Sequence, residues 1–163
     1  MEALVHADGR FVFQGQTFRC ALGKGGVRAD KEEGDGATPI AILPLRKVFY
    51  RADRVAIPGC AVPKEALAPE DGWCDDPTHR DYNRPIRLPR SGRHEELWRR
   101  DAVYDLIAIL GWNDDPVVRR RGSAIFLHVA RPDYAPTDGC VALALPDLQK
   151  VLAAGVGSLR ILG

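Results

Sequence analysis

Ala124-Ile125-Phe126-Leu127-His128-Val129-Ala130 and, after a ten-residue break, Val141-Ala142-Leu143-Ala144 are the stretches whose reading decides the fold. Both are almost continuously apolar and short. Runs of that length fit strands buried on both faces, because an amphipathic helix needs more residues and a polar stripe. Tyr104 to Leu110, nearly all apolar after Asp105, reads the same way. Working outward, Leu4-Val5 and Arg10-Phe11-Val12-Phe13 flank Asp8-Gly9, which predicts a hairpin. Gln16 to Leu22 alternates and is a third strand. Thr38 to Leu45 and Val48 to Arg51 are further strand candidates, beyond a glycine-rich charged loop from Gly23 to Gly36. Pro146-Asp147 opens a helix through Leu148, Val151 and Leu152 that stops at Gly155, and Ser158 to Leu162 is a last strand. Ser91 ahead of His94-Glu95-Glu96-Leu97-Trp98 suggests a short N-capped helix. The fold class is therefore mainly β, with one or two short helices, in a single domain over residues 1–163.

Pro58, Pro63, Pro69, Pro77, Pro85 and Pro89 interrupt every regular pattern between them, so about 58–90 reads as a long structured loop inserted in that domain. Trp73, Tyr82, Ile86 and Leu88 give it side chains that must pack, and a packed loop of this length points to function.

The two central runs also carry chemistry. His128 closes one, and Gly139-Cys140 opens the next twelve positions later. A thiol nucleophile needs a base near its sulfur and N–H groups near the carbonyl it attacks. A hairpin-like unit from His128 to Cys140 could supply both. A histidine beside the sulfur would raise the thiolate fraction. Gly139 permits an unusual backbone angle or a close approach. A buried structural Cys and His are the alternative.

The composition narrows the classes. The 163 residues carry a net charge of +1, so no strong pull toward nucleic acid or anionic membrane is implied. Arg119-Arg120-Arg121 is the densest basic run and reads as a solvated loop. No window is long and apolar enough for a membrane helix. Met1 to Asp8 shows no secretory signal, so the expected location is cytoplasmic, or periplasmic if the N-terminus was trimmed. Cys20, Cys60, Cys74 and Cys140 contain no C-x-x-C pair, and Cys60, Cys74 and His79 match no common zinc spacing. Neither a metal nor a cofactor is called for. A redox protein is disfavoured because Cys140 has no neighbouring resolving cysteine.

Phe126-Leu127-His128 with Thr137-Asp138-Gly139-Cys140-Val141 resembles the active-site signature of the L,D-transpeptidase family, the YkuD domain. Lys31 to Ile40, containing Gly34, Thr38 and Pro39, is similar to that family's upstream Gly-x-x-x-Thr-Pro-x-Gly segment, and the two matches come in the family's order. The resemblance implies a β-sandwich and an acyl-enzyme mechanism on a peptidoglycan tetrapeptide stem or muropeptide. Cys140 would attack the carbonyl before the terminal D-alanine and His128 would shuttle the proton. The N–H groups of Gly139 and Cys140 would hold the oxyanion. Thr137 and Asp138 would support the loop. A backbone carbonyl near Gly122 and Ser123 would orient the imidazole. The family commonly has Arg or Asn where this chain has Ala142, and the His-to-Cys spacer is short. Arg131 is the candidate replacement cation, and Asn113, Tyr104 and Trp73 are further candidates for substrate contact. Signal-less, single-domain members resemble hydrolytic L,D-carboxypeptidases, so hydrolysis in wall recycling is the expectation. Crosslinking transpeptidation is its alternative, and a non-catalytic muropeptide-binding domain is the alternative of another class.

Overall fold

The computed structural model describes residues 1–163 and is strand-rich. The chain opens with β1 (Glu2–Val5), β2 (Arg10–Phe13) and β3 (Gln16–Ala21), the antiparallel meander that the alternation predicts. Two short strands follow, β4 (Val27–Arg28) and β5 (Thr38–Pro39), paired in parallel. Thr38 to Arg51, read from sequence as two pieces, then holds one long strand, β6 (Ile42–Tyr50). Next come β7 (Lys64–Ala66), β8 (Asp71–Cys74), β9 (Pro85–Arg87) and β10 (His94–Glu96). The chain continues through β11 (Leu106–Leu110), β12 (Phe126–Val129) and β13 (Val141–Leu143) to α1 (Leu145–Ala153) and β14 (Ser158–Ile161). Only one helix forms, with Pro146 in its first turn and Gly155, at φ +89°, just past its end.

The main sheet has nine strands in the order β11-β12-β13-β3-β2-β1-β14-β6-β7, and β6 also pairs with β11. Its two ends are thereby joined. The expected sandwich of two facing sheets is replaced by a barrel-like sheet, with β7 appended to β6. Closure removes the open edges that a sandwich leaves. β6 can do this because it is long: Ile42 to Pro44 pair with β14, and Leu45 to Tyr50 pair with β11.

Each central strand is buried on both faces, for a reason that alternation makes plain. Leu106, Ala108 and Leu110 point into the barrel with Leu127, Val129, Val141 and Leu143, and α1 adds Leu148, Val151 and Leu152 to that core. Ile107, Ile109 and Phe126 point outward, into a second cluster with Trp73, Leu97, Val103, Tyr104 and Cys140. The outer cluster exists because the 58–104 segment covers it. That segment is not a plain loop: β8, flanked by β10 and β9, makes a small three-stranded sheet. The residues from His94 to Glu96, expected as a helix, are strand β10, registered so that His94, Glu95 and Glu96 face Cys74, Trp73 and Gly72. A helix there would have had a thin apolar face, and the ladder to β8 outweighs a weak local preference.

Aromatic burial holds this layer down. Trp73 meets the Phe126 ring edge-on at 5.2 Å and Tyr104 does so at 5.8 Å. Fully burying side chains of this size contributes about 2 kcal/mol each. Arg51 and Arg54 pin the returning chain: Arg51 donates to the Arg99 carbonyl and lies 3.6 Å over the Trp98 ring, and Arg54 bonds the carbonyls of Arg100 and Asp101.

Candidate active site

β12 and β13 run parallel, with Leu127 opposite Val141 and His128 opposite Ala142. The unit between His128 and Cys140 is therefore not a hairpin. Parallel neighbours oblige the chain to travel back along the strand before it can pair. That return over Ala130 to Gly139 accounts for the spacing, and it delivers Cys140 beside the start of β12 rather than its end. Side chains at Cys140, Ala142, Phe126 and His128 share the outer face of the barrel.

His128, Cys140 and Ala142 line one pocket of about 290 Å³. Its walls include His128, Cys140 and Ala142 from the barrel, Glu95, Arg99 and Tyr104 from the inserted layer, and Arg131 with Thr137 and Asp138 from the return loop. The Cys140 thiol accepts from the Phe126 N–H at 3.3 Å and donates to the Ala124 carbonyl at 3.2 Å. His128 Nδ1 lies 3.0 Å from the Val129 carbonyl. A carbonyl only accepts, so Nδ1 carries the proton and Nε2 is left as the basic nitrogen. The orienting carbonyl thus lies just downstream of the histidine. The upstream Gly122 carbonyl accepts from Asn113 Nδ2, and the Ser123 hydroxyl donates to Glu33.

The resting pair is uncharged. Burial depresses the His128 pKa to about 4 and pushes the Cys140 thiol well up. Proximity to a histidine does not give a resting thiolate here, contrary to the sequence expectation, because desolvation penalises both ions. No hydrogen bond joins the two side chains; the thiol proton rests on Ala124.

The return loop is braced from within. Thr137 Oγ1 donates to the Cys140 carbonyl at 2.7 Å and accepts from the Gly139 N–H at 3.1 Å. That second bond occupies one of the two expected oxyanion donors. The Cys140 N–H has no acceptor in the chain. Gly139 sits at φ +136°, and a Cβ there would stand 2.8 Å from the Ala37 carbonyl oxygen. Ala37 belongs to the upstream Gly34-to-Pro39 segment, so the two sequence motifs are one contact in space. Buried Lys31 bridges Asp35 at 2.5 Å, and Thr38 Oγ1 accepts from the Gly23 N–H. The Lys24 N–H then bonds the Thr137 carbonyl. Asp138 projects outward at the rim and pairs with Lys24.

Among the other expected residues, Arg131 lines the pocket, 3.6 Å from Asp101. Tyr104 does too, as a wall: its ring meets the His128 ring edge-on at 5.3 Å. Trp73 lies behind Phe126 and bonds Asn83, so it packs rather than touching the pocket. Asn113 is elsewhere, closing a turn through the carbonyls of Val118 and Gly122. The Cys60 sulfur donates to the Val62 carbonyl, and Cys60, Cys74 and His79 form no metal-holding group. Sequence reasoning missed Glu33, Asp75, Glu95 and Arg99, all at the pocket. Only the inserted layer's tertiary fold brings the last three there, and no local spacing announces it.

The pattern of closed sheet, paired loops and pocket defines a cysteine- and histidine-lined cleft on a β scaffold. The family model for the L,D-transpeptidase catalytic domain (YkuD) matches residues 4–154, and the chain belongs to that family. Membership implies a peptidoglycan substrate. No curated protein matches the chain. No helix is long and apolar enough to cross a membrane.

Proposed function

We propose that this protein is a cysteine acyl-enzyme catalyst that removes the terminal D-alanine from a peptidoglycan tetrapeptide stem by hydrolysis, an L,D-carboxypeptidase. The observation that carries the reading is the shared pocket of Cys140 and His128, with Nδ1 committed to Val129 and Nε2 free as base. Cys140 Sγ leaves Ala124, passes its proton to His128 Nε2 and attacks the carbonyl carbon before D-alanine. The resting pair is neutral, so transfer accompanies attack, and catalytic hydrogen bonds often tighten only when substrate is present. The Cys140 N–H is the free donor for the oxyanion. The C–N bond breaks, the imidazolium returns its proton to the leaving amine, and a thioester remains. Water then attacks the thioester, giving the tripeptide carboxylate and the thiol.

Ala142 pairs with His128 and leaves open the space that a longer side chain would fill. Arg99 and Arg131 line the same pocket and supply the cationic charge for a terminal carboxylate. Hydrolysis is favoured over crosslinking because a cavity of about 290 Å³, walled by the inserted layer, suits one peptide end better than two stems. The cytoplasmic location stands as part of the same proposal, since trimming of recycled stems needs no export. Incubation with a stem tetrapeptide, followed by mass spectrometry, tests the reading. D-alanine release without a dimeric peptide supports hydrolysis; a dimeric peptide establishes transpeptidation instead.

A further inference from the structure

The acyl-transfer steps use Cys140, His128 and the loop around them. They leave unexplained a carboxyl group that the inserted layer sends into the same pocket. Glu95 stands in the middle of β10 and lines the pocket with Cys140 and His128. Its Oε1 accepts from the Tyr104 hydroxyl at 2.9 Å. The Tyr104 ring is set edge-on to His128 at 5.3 Å, with an interplanar angle of 80°, and edge-on to Phe126 as well. The chain of contact is short and directional: carboxyl to hydroxyl, ring to imidazole. Nothing else bonds the Tyr104 hydroxyl, so Glu95 alone fixes it.

We propose that Glu95 is a positioning residue of the active site: it holds Tyr104 against His128 and sets the electrostatic field at Cys140. The proposal rests on the acyl-enzyme reading for its effect on turnover, but not for its effect on the thiol. The pocket holds several other charges that act on Glu95. Asp75, just past β8, and Asp138 on the return loop raise its carboxyl and Arg99 lowers it, while Glu33 and Arg131 line the same pocket. Burial dominates, and it raises the carboxyl to about 7, so the group is poised between charge states near neutrality. An ionised Glu95 disfavours the thiolate of Cys140 and a neutral one relieves it. The inserted layer thus acts on both the base and the nucleophile through one side chain.

The experiment uses the full chain with Glu95→Gln, Glu95→Ala, Tyr104→Phe and the double variant Glu95→Ala/Tyr104→Phe. The first readout is alkylation of Cys140 by iodoacetamide against pH, followed by the mass of the Cys140 peptide. Glu95→Gln keeps the shape and an acceptor for Tyr104, and removes the charge. Its alkylation midpoint should move to lower pH by about half a unit or more, as loss of a nearby negative charge requires. The second readout is turnover of the tetrapeptide. Glu95→Ala and Tyr104→Phe should each lower kcat by about tenfold with little change in KM, the size of one lost hydrogen bond expressed in a barrier. The double variant should be no worse than either alone, and Glu95→Gln should recover part of the loss. An unmoved alkylation midpoint in a folded Glu95→Gln protein overturns the electrostatic role. Independent, multiplying losses in the double variant overturn the positioning role. If no variant or parent turns over the tetrapeptide, the substrate reading fails while the alkylation result still decides Glu95.

Discussion

Gly139 and Ala37 meet backbone to backbone: a Cβ on Gly139 would lie 2.8 Å from the Ala37 carbonyl oxygen. Gly139 also occupies φ +136°, which L side chains rarely adopt. Two separate penalties therefore oppose Gly139→Ala, one steric and one conformational. The substitution is expected to cost on the order of 3 kcal/mol in urea unfolding. Gly34→Ala is the control, since Gly34 has φ +84° but nothing within 4 Å of the added carbon. It should cost only about 1 kcal/mol. Equal losses at the two positions would remove the contact from the explanation.

The Thr137 hydroxyl joins the carbonyl of Cys140 to the N–H of Gly139, and so fixes the peptide after the nucleophile and the one that enters Gly139. Thr137→Val keeps the shape and removes both bonds. We expect kcat to fall by roughly tenfold to a hundredfold with a small loss of stability, because misplacing a reacting atom costs more than one surface hydrogen bond. Thr137→Ser should restore most of the rate. Full activity in Thr137→Val would show that the bracing is dispensable.

Asn83 ties the inserted layer to the site. Its Oδ1 accepts from the Trp73 indole and from the Ala124 N–H, and its Nδ2 donates to the carbonyls of Trp112 and Asn113. Asn83→Ala strands buried polar groups and is expected to cost about 3 kcal/mol by thermal or urea unfolding. Ala124 carries the carbonyl that holds the Cys140 thiol, so activity should fall further than the lost stability explains. A neutral outcome at Asn83 would mean that the layer and the barrel are not coupled there.

Stability should respond to pH in two opposed ways. His128 is depressed from 6.5 to about 4, so the folded state binds fewer protons than the unfolded one. Its contribution is complete above the unfolded value and is lost as pH falls from about 6.5 toward 4. Glu95 is raised from 4.5 to about 7, so the folded state binds more protons. Its contribution is complete below 4.5 and is lost as pH rises toward 7. Glu95→Gln removes the second effect alone. Relative to the parent, it should gain stability between pH 5 and pH 8, by an amount on the order of 1–3 kcal/mol given that the pocket admits water. Denaturant midpoints at the two pH values check this, and a gain on acidification would reverse the assignment.

The barrel strands were legible because their pattern is set by burial. Ala124 to Ala130 reads as buried on both faces, and both faces are in fact covered. The nucleophile and base candidates were legible as residue types at a spacing. The geometry between them was not: a parallel pair and a hairpin can share the same twelve-residue interval, and only the parallel register of β12 with β13 excludes the hairpin. The sandwich expectation gave way to a closed sheet because closure depends on β6 reaching two neighbours, which its length permits but does not announce. The inserted layer was recognised by its aromatics and misread in detail. His94 to Glu96 carry no strand pattern of their own, and their conformation comes from β8. Glu95 and Arg99 reach the pocket for the same non-local reason.

The most direct test of the central claim is intact-mass spectrometry of the protein during turnover of a stem tetrapeptide, with Cys140→Ala in parallel. A transient thioester adduct on Cys140, of the tripeptide mass less one water, and D-alanine release are expected from the parent, and neither from Cys140→Ala. Continued D-alanine release by a folded Cys140→Ala protein would contradict that claim.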